Sequence, residues 1–550
     1  MTGAPGVATK LRHGLIRLLG GEPVPDLPEP DPGPASAPEP EPEPDPEPHQ
    51  EEVIGLVASG GGARSSFQIG ALTYLYEQDG FAPQVMTGTS AGSILTGMLA
   101  QYPDQAGQRE AVEDLRRLWL GMRSSSDLFE ELPWFTKLRE HMPTWRKVMA
   151  LRHRPGNRTS LTASLTSVLQ GPIKAVERFT ARQNDHGEAA TDPATASQTA
   201  VQTVEHDQTP PEHSPLWTSG NVLDTLATIW EAGRTSTDVQ SILNGAQTER
   251  AAFRPGPLVD RISDPRLFDA ARLADSGVRF RAAVVALESG ELRYVDELGR
   301  MHDRTDELLP EEDPVELLDA IRASCAIPAV FAPVRLNDQH YVDGGARESL
   351  PVEIAVSQLG VTRCYAVVAS PVGLPWDGGY GDKDMLEIVM RSGFGIMTDE
   401  IQLDEIRRAK SAGAMIIQPE LDIHDLLTVE PGLVSISMDY GYLRARDLYT
   451  EAPPEVHEHT RHVINLRRLI WTTEDEMFNP VHDPATPRPP MSELVELKLR
   501  LRELLEEDDP ATLPSGASSW WRTWERHGFG IGEQPSWTDD LPTAEPRLVT

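Results

Sequence analysis

A serine flanked by two glycines, Gly88-x-Ser90-x-Gly92, lies between a β-rich run and a helical one. This is the setting in which a tight strand-to-helix turn lifts a serine hydroxyl above a sheet, with small neighbours leaving room for the turn. Three fixed positions make a weak pattern, so its weight rests on that setting. Upstream, Ser59-Gly60-Gly61-Gly62-Ala63-Arg64 also sits between a strand and a helix. Consecutive glycines let several backbone N–H groups converge, and a helix N-terminus adds partial positive charge, as an oxyanion requires. A phosphate could use the same loop. Yet the Gly-Lys-Ser/Thr ending of a Walker loop is missing, and Ser65 stands where a dinucleotide fingerprint has its last glycine.

A third element, Asp343-Gly344-Gly345, follows the strand-like 339–342. Taken alone it reads as a turn, because Asp side chains and glycines both favour turns. Before it, the small-residue stretch from Ala323 to Val334 breaks at Pro328 into an extended run. The glycine loop with Arg64, the Gly88 to Gly92 elbow, this stretch and Asp343-Gly344-Gly345 occur in an order that resembles the patatin-like phospholipases. The resemblance covers roughly residues 53–371, with Ser65 departing from the usual final glycine of the loop. It implies a serine acyl hydrolase with a Ser-Asp dyad. On this chain Ser90 becomes the nucleophile, Asp343 its partner, and Gly60, Gly61 and Gly62 the oxyanion hole. Arg64, Gly88, Gly92, Gly344 and Gly345 take supporting places, with no metal and no organic cofactor.

A free aspartate with a pKa near 3.9 is a poor base for a serine hydroxyl. The dyad therefore demands burial, which raises carboxylate basicity. A triad would need a histidine after the acid, and the candidates are His424, His457, His459, His462, His482 and His527. None lies in a recognisable turn motif. His457, His459 and His462 do not share one helical face, which also disfavours them as metal ligands.

These residues need a scaffold. Strand-like runs at 53–58, 84–87, 278–287, 294–297 and 364–369 alternate with helical patterns at 67–77 and 93–101. Such alternation predicts an α/β fold, a three-layer sandwich around a mostly parallel sheet. The expected organisation has four parts. Residues 1–21 hold a short basic amphipathic helix, Lys10 to Leu19, and 22–52 form a disordered Pro/Glu-rich linker. Residues 53–371 form the hydrolase-like domain, with helical insertions and a flexible segment at 183–215. Residues 372–550 form a helical extension of packing appendages, ending near Trp520-Trp521, whose rings are expected to dock.

Fifty Lys and Arg against 85 Asp and Glu give a net charge of −35, which excludes nucleic acid as a natural partner. Two cysteines, Cys325 and Cys364, cannot build a disulfide framework and fit a reducing compartment. No apolar run is long enough to span a bilayer. The expected protein is cytoplasmic and acts on a lipid or other acyl ester, with the basic N-terminal helix as a candidate peripheral membrane contact and the oligomeric state open. Two rivals remain: a catalytically silent lipid-binding protein on the same fold, and a nucleotide-binding regulator using the glycine loop.

Overall fold

The computed structural model describes residues 52–138 and 245–522, apart from 246–247, 375, 377, 381–387, 389–390, 479–486, 507, 510–511 and 518–519. The Lys10 to Leu19 helix, the 22–52 linker up to residue 51, the 183–215 segment, His482 and His527 lie outside these residues.

The strands in chain order are β1 (Ile54–Ala58), β2 (Val85–Thr89), β3 (Phe129–Glu131), β4 (Phe253–Pro255), β5 (Arg279–Ala286), β6 (Leu292–Asp296), β7 (Met301–His302), β8 (Val334–Leu336), β9 (Gln339–Asp343), β10 (Arg363–Val367) and β11 (Met415–Ile417). The main sheet runs β11-β10-β1-β2-β5-β6-β7, and β3 and β4 form a separate antiparallel pair. From β11 to β5 every pairing is parallel, while β6, β7, β8 and β9 are antiparallel. β1 and β2 are buried at every residue. Both faces of these strands are covered, so they show continuous apolar or small residues rather than polar alternation.

The main helices are α1 (Ser65–Glu77), α2 (Ala91–Leu99), α3 (Gln105–Leu120), α4 (Leu317–Ser324), α5 (Val352–Ser357), α6 (Thr398–Ser411), α7 (Pro431–Tyr449), α8 (Pro454–Phe478) and α9 (Met491–Leu505). Leu56, Met86 and Tyr365 point from the sheet into one core with Phe67 and Leu72 of α1, Leu95 of α2, Leu115 of α3 and Val434 of α7. Their neighbours Val57, Val85 and Ala366 point the other way, into a second core with Ile354 and Ala355 of α5 and Ile406 and Ala409 of α6. Side-chain alternation along the strands thus creates three layers.

The residues after 371 are more than the appendages expected from sequence. β11 is a strand of the main sheet and α7 lies directly on α1. That contact is backbone to backbone. A Cβ at Gly70 would stand 1.8 Å from the Met438 carbonyl oxygen, and one at Gly441 would stand 1.9 Å from that of Phe67. Edge-on ring pairs Phe67–Tyr440 and Tyr74–Tyr442, with centroids 5.3 and 5.2 Å apart, flank the crossing. Further out, Trp520 and Trp521 are buried, and the Arg467 guanidinium stacks 3.9 Å from the Trp520 ring.

Candidate active site

Ser90 terminates β2 and opens α2, with φ 54° and ψ −129°. A non-glycine residue rarely adopts such a φ, and the strain is held by surrounding contacts. The Ser90 amide donates to Ser324 Oγ at 3.0 Å, and Ser93 Oγ donates to the Ser90 carbonyl at 2.7 Å. Gly92 lets α2 start against β1: a Cβ there would sit 2.3 Å from the Ala58 carbonyl oxygen. Gly88 belongs to β2 itself.

Asp343 comes from β9, more than 250 residues downstream. The strand between them brings the two together. β5 pairs with β2 up to Thr89–Ala283 and, one residue later, with β9 at Val284–Asp343. Because β6 pairs with β5 across both stretches, β2 and β9 must share its other edge, end to end. The termini of β2 and β9 therefore meet, and Ser90 and Asp343 line one cavity.

Both side chains are nearly closed to solvent, with Ser90 6% and Asp343 5% exposed. Burial pushes the Asp343 carboxyl up to about 6, against the opposing effect of the nearby Ser90 hydroxyl and of a hydrogen bond from the Gly345 amide. The latter reaches Asp343 Oδ1 at 2.8 Å, across a single 3-10 turn at Gly344–Ala346.

The glycine loop is adjacent. Gly60, Gly61 and Arg64 line the same cavity as Ser90, Asp343 and Gly345, and its volume is about 350 Å3. The three glycine amides are not equivalent. Gly60 N–H already donates to the Ser349 carbonyl at 3.1 Å, whereas those of Gly61 and Gly62 have no acceptor among the described residues. Gly62 begins a short 3-10 turn leading into α1. Arg64 does not present a free cation, since its Nε is 3.0 Å from Asp422 Oδ1 and it also meets Asp422 Oδ2 and the His424 carbonyl.

Apolar walls come from Ile327, Pro328, Leu374, Met397, Ile401 and Leu426. Among the described residues, six of the eleven exposed large apolar side chains fall in 372–397, the segment that supplies Leu374 and Met397 to the cavity. Trp376 there is 92% exposed.

Among the described residues no histidine lines the cavity. His424 is buried with Nε2 3.1 Å from Ser66 Oγ, and burial lowers its pKa. On α8, His457 lies 2.7 Å from Arg444 Nη1 and His459 lies 2.9 Å from Asp508. Among the described residues no group of acidic, histidine or cysteine side chains could hold a metal ion, and no helix is long and apolar enough to cross a membrane. Ser324, Ser349 and Asp422 belong to the site without having been singled out in sequence. Ser324 lay inside the small-residue stretch already noted, but Asp422 contacts Arg64 across 358 residues and left no local signal.

Comparison with known proteins agrees in part of the chain. A curated relative, the probable lipid hydrolase 463L of Invertebrate iridescent virus 6, is 36% identical over 42 residues, which is 8% of this chain and 14% of that protein. The chain thus matches only about a seventh of that relative's length. Among solved structures, VipD from Legionella pneumophila aligns over 89% of this chain and 94% of its own, with 13% identity and a TM-score of 0.28. ExoU in its heterodimeric complex with SpcU, from the type III secretion system of Pseudomonas aeruginosa, aligns over 86% of this chain and 68% of its own, with 14% identity and a TM-score of 0.20. Those scores carry no shared overall arrangement. The family model of the patatin-like phospholipases matches residues 56–356, more than half of the 550 residues and the span that carries the glycine loop, Ser90 and Asp343, so the chain belongs to the patatin-like phospholipase family.

Proposed function

We propose that the chain is a lipid acyl hydrolase that cleaves carboxylic esters through an acyl-enzyme, with Ser90 as nucleophile and Asp343 as general base. The observation that carries this is the meeting of Ser90 and a buried, basic Asp343 in one apolar-walled cavity. As Ser90 Oγ attacks the acyl carbon, its proton passes to Asp343. The carbonyl oxygen gains the negative charge, facing the amides of Gly61 and Gly62 and the N-terminus of α2. Collapse expels the alcohol, which takes the proton from Asp343. Water then gives a proton to Asp343 and attacks the acyl-serine, and collapse releases the carboxylic acid as the proton returns to Ser90. A carboxyl with a pKa of about 6 is near enough to neutral pH to work in both directions.

The cavity walls suit an acyl chain. Its charged side chains, Arg64 with Asp343, Asp399 and Asp422, sum to a net negative charge, which disfavours a polyphosphate ligand and so the nucleotide reading. A silent lipid-binding protein would have no need of a strained serine sharing its cavity with a raised carboxyl. The exposed apolar side chains of 372–397 are proposed to meet the lipid surface from which substrate is drawn. Free thiols at Cys325 and Cys364 fit action in a reducing compartment such as the cytoplasm.

A fluorophosphonate probe tests the reading. The wild-type chain should be labelled on Ser90 and lose esterase activity in step, while Ser90→Ala should take no label. Absence of label on a folded wild-type chain would leave the silent lipid-binding reading in its place.

A further inference from the structure

Glu405 lies on α6, on the other side of the sheet from α1 and α2, and takes no part in the dyad. Its buried carboxylate accepts two backbone N–H groups, from Ser349 at 2.9 Å and from Leu350 at 2.8 Å. Those residues belong to the bend from Glu348 to Pro351, which is separated from Asp343-Gly344-Gly345 by two residues. The bend is tied to the rest of the site through its carbonyls. Ser349 O accepts from the Gly60 amide at 3.1 Å, Glu348 O from the Thr89 hydroxyl at 3.1 Å, and Pro351 O from the Thr87 hydroxyl at 2.8 Å. Gly60 in turn abuts Ser90, since a Cβ on it would lie 3.2 Å from Ser90 Cβ. A bend has no ladder to satisfy its buried amides, so an outside acceptor must hold it, and charge-assisted bonds are the strong ones.

Resting on the hydrolase reading above, we propose that Glu405 is a positioning residue for ester hydrolysis: by clamping the Ser349 and Leu350 amides it holds the bend that fixes the glycine loop and the end of β2 against Ser90. It touches neither substrate nor dyad. Its effect is on where the oxyanion donors and the nucleophile stand relative to one another, which belongs to turnover rather than to substrate binding.

Burial and the nearby Glu348 carboxylate push Glu405 up to about 8, while the two amides and Arg408 oppose the shift. The full-length chain is therefore assayed at about pH 9, where the clamp is charged. Glu405→Gln keeps one acceptor oxygen and should lower kcat about tenfold with KM within about twofold. Glu405→Ala leaves both amides without an acceptor and should lower kcat about a hundredfold. Fluorophosphonate labelling of Ser90 should slow by the same factors, in the order wild type, Gln, Ala. Wild type is read first, because failure of its labelling overturns the hydrolase reading itself. Labelling of wild type and both variants at one rate overturns the clamp alone. So does a raised KM with kcat unchanged, or a Gln variant that fails to fold, since the carboxylate would then serve folding rather than catalysis.

Discussion

Asp343 carries a conflict between stability and chemistry. Its carboxyl, at about 6 in the folded chain, lies above the ordinary value of 3.8 because burial penalises its charged form. The folded state therefore binds this proton more tightly than the unfolded chain does. The resulting contribution to stability is fully present below about pH 4 and is lost as pH rises through about 6. A shift of about two units corresponds to roughly 3 kcal/mol. Asp343→Asn, which never charges, should therefore melt higher than wild type at about pH 8, with the gain vanishing toward about pH 4. Equal melting temperatures across that range would show that the carboxyl is not desolvated. Activity should run the opposite way in pH: wild-type turnover should fall about tenfold per unit below about pH 6, as the base takes up its proton. On the proposed mechanism, Ser90→Ala and Asp343→Asn should each remove at least about 10^4-fold of turnover, and the double variant should be no worse than either single one, because a nucleophile and its base act as a unit. Additive losses in purified, folded variants would contradict the dyad.

At the scale of elements, placement of the site depends on backbones approaching closely. β5 serves as a common template for β2 and β9, and α1 is pressed into place behind the glycine loop by α7. The α1 and α7 crossing tolerates no side chain at Gly70, where a Cβ would stand 1.8 Å from the Met438 carbonyl oxygen. Gly70→Ala must push the helices apart and should cost about 1 to 3 kcal/mol by the usual scale of overpacking. It should also lower turnover, because the N-terminus of α1 follows the loop that carries Gly61 and Gly62. Chemical denaturation and esterase assays on one preparation read both effects. An unchanged midpoint would mean that the crossing relaxes freely.

For the whole molecule, the boundary expected at residue 371 cuts through shared structure. β11, α6 and α7 lie beyond it, and they supply a sheet strand, the second core and the cover of α1. A chain ending at residue 371 would expose Phe67 and Tyr74 of α1 and leave one side of β10 unpaired. Such an edge and apolar face invite aggregation. The truncated chain should therefore be recovered only in aggregates, whereas one ending at residue 522 should stay folded and hydrolyse a soluble ester. A monomeric, active 1–371 chain would restore the two-part division.

The glycine loop, the elbow and the Asp-Gly-Gly turn were legible in the sequence because each depends on short-range backbone demands that only small residues meet. The strand runs at 53–58 and 278–287 were legible because full burial leaves an uninterrupted apolar or small-residue run. Their pairing was expected only through the family resemblance, and what brings them together was not legible. Asp343 reaches Ser90 only because β5 passes its edge from one strand to the next, and its raised pKa comes from the burial that follows. The commitment of the Gly60 amide to Ser349, the pairing of Arg64 with Asp422 and the Glu405 clamp join residues 55 to 358 positions apart. No local pattern encodes a contact that comes into being only when the chain has closed on itself. Local spacing determined the parts of the site, and tertiary packing decided which of them face one another.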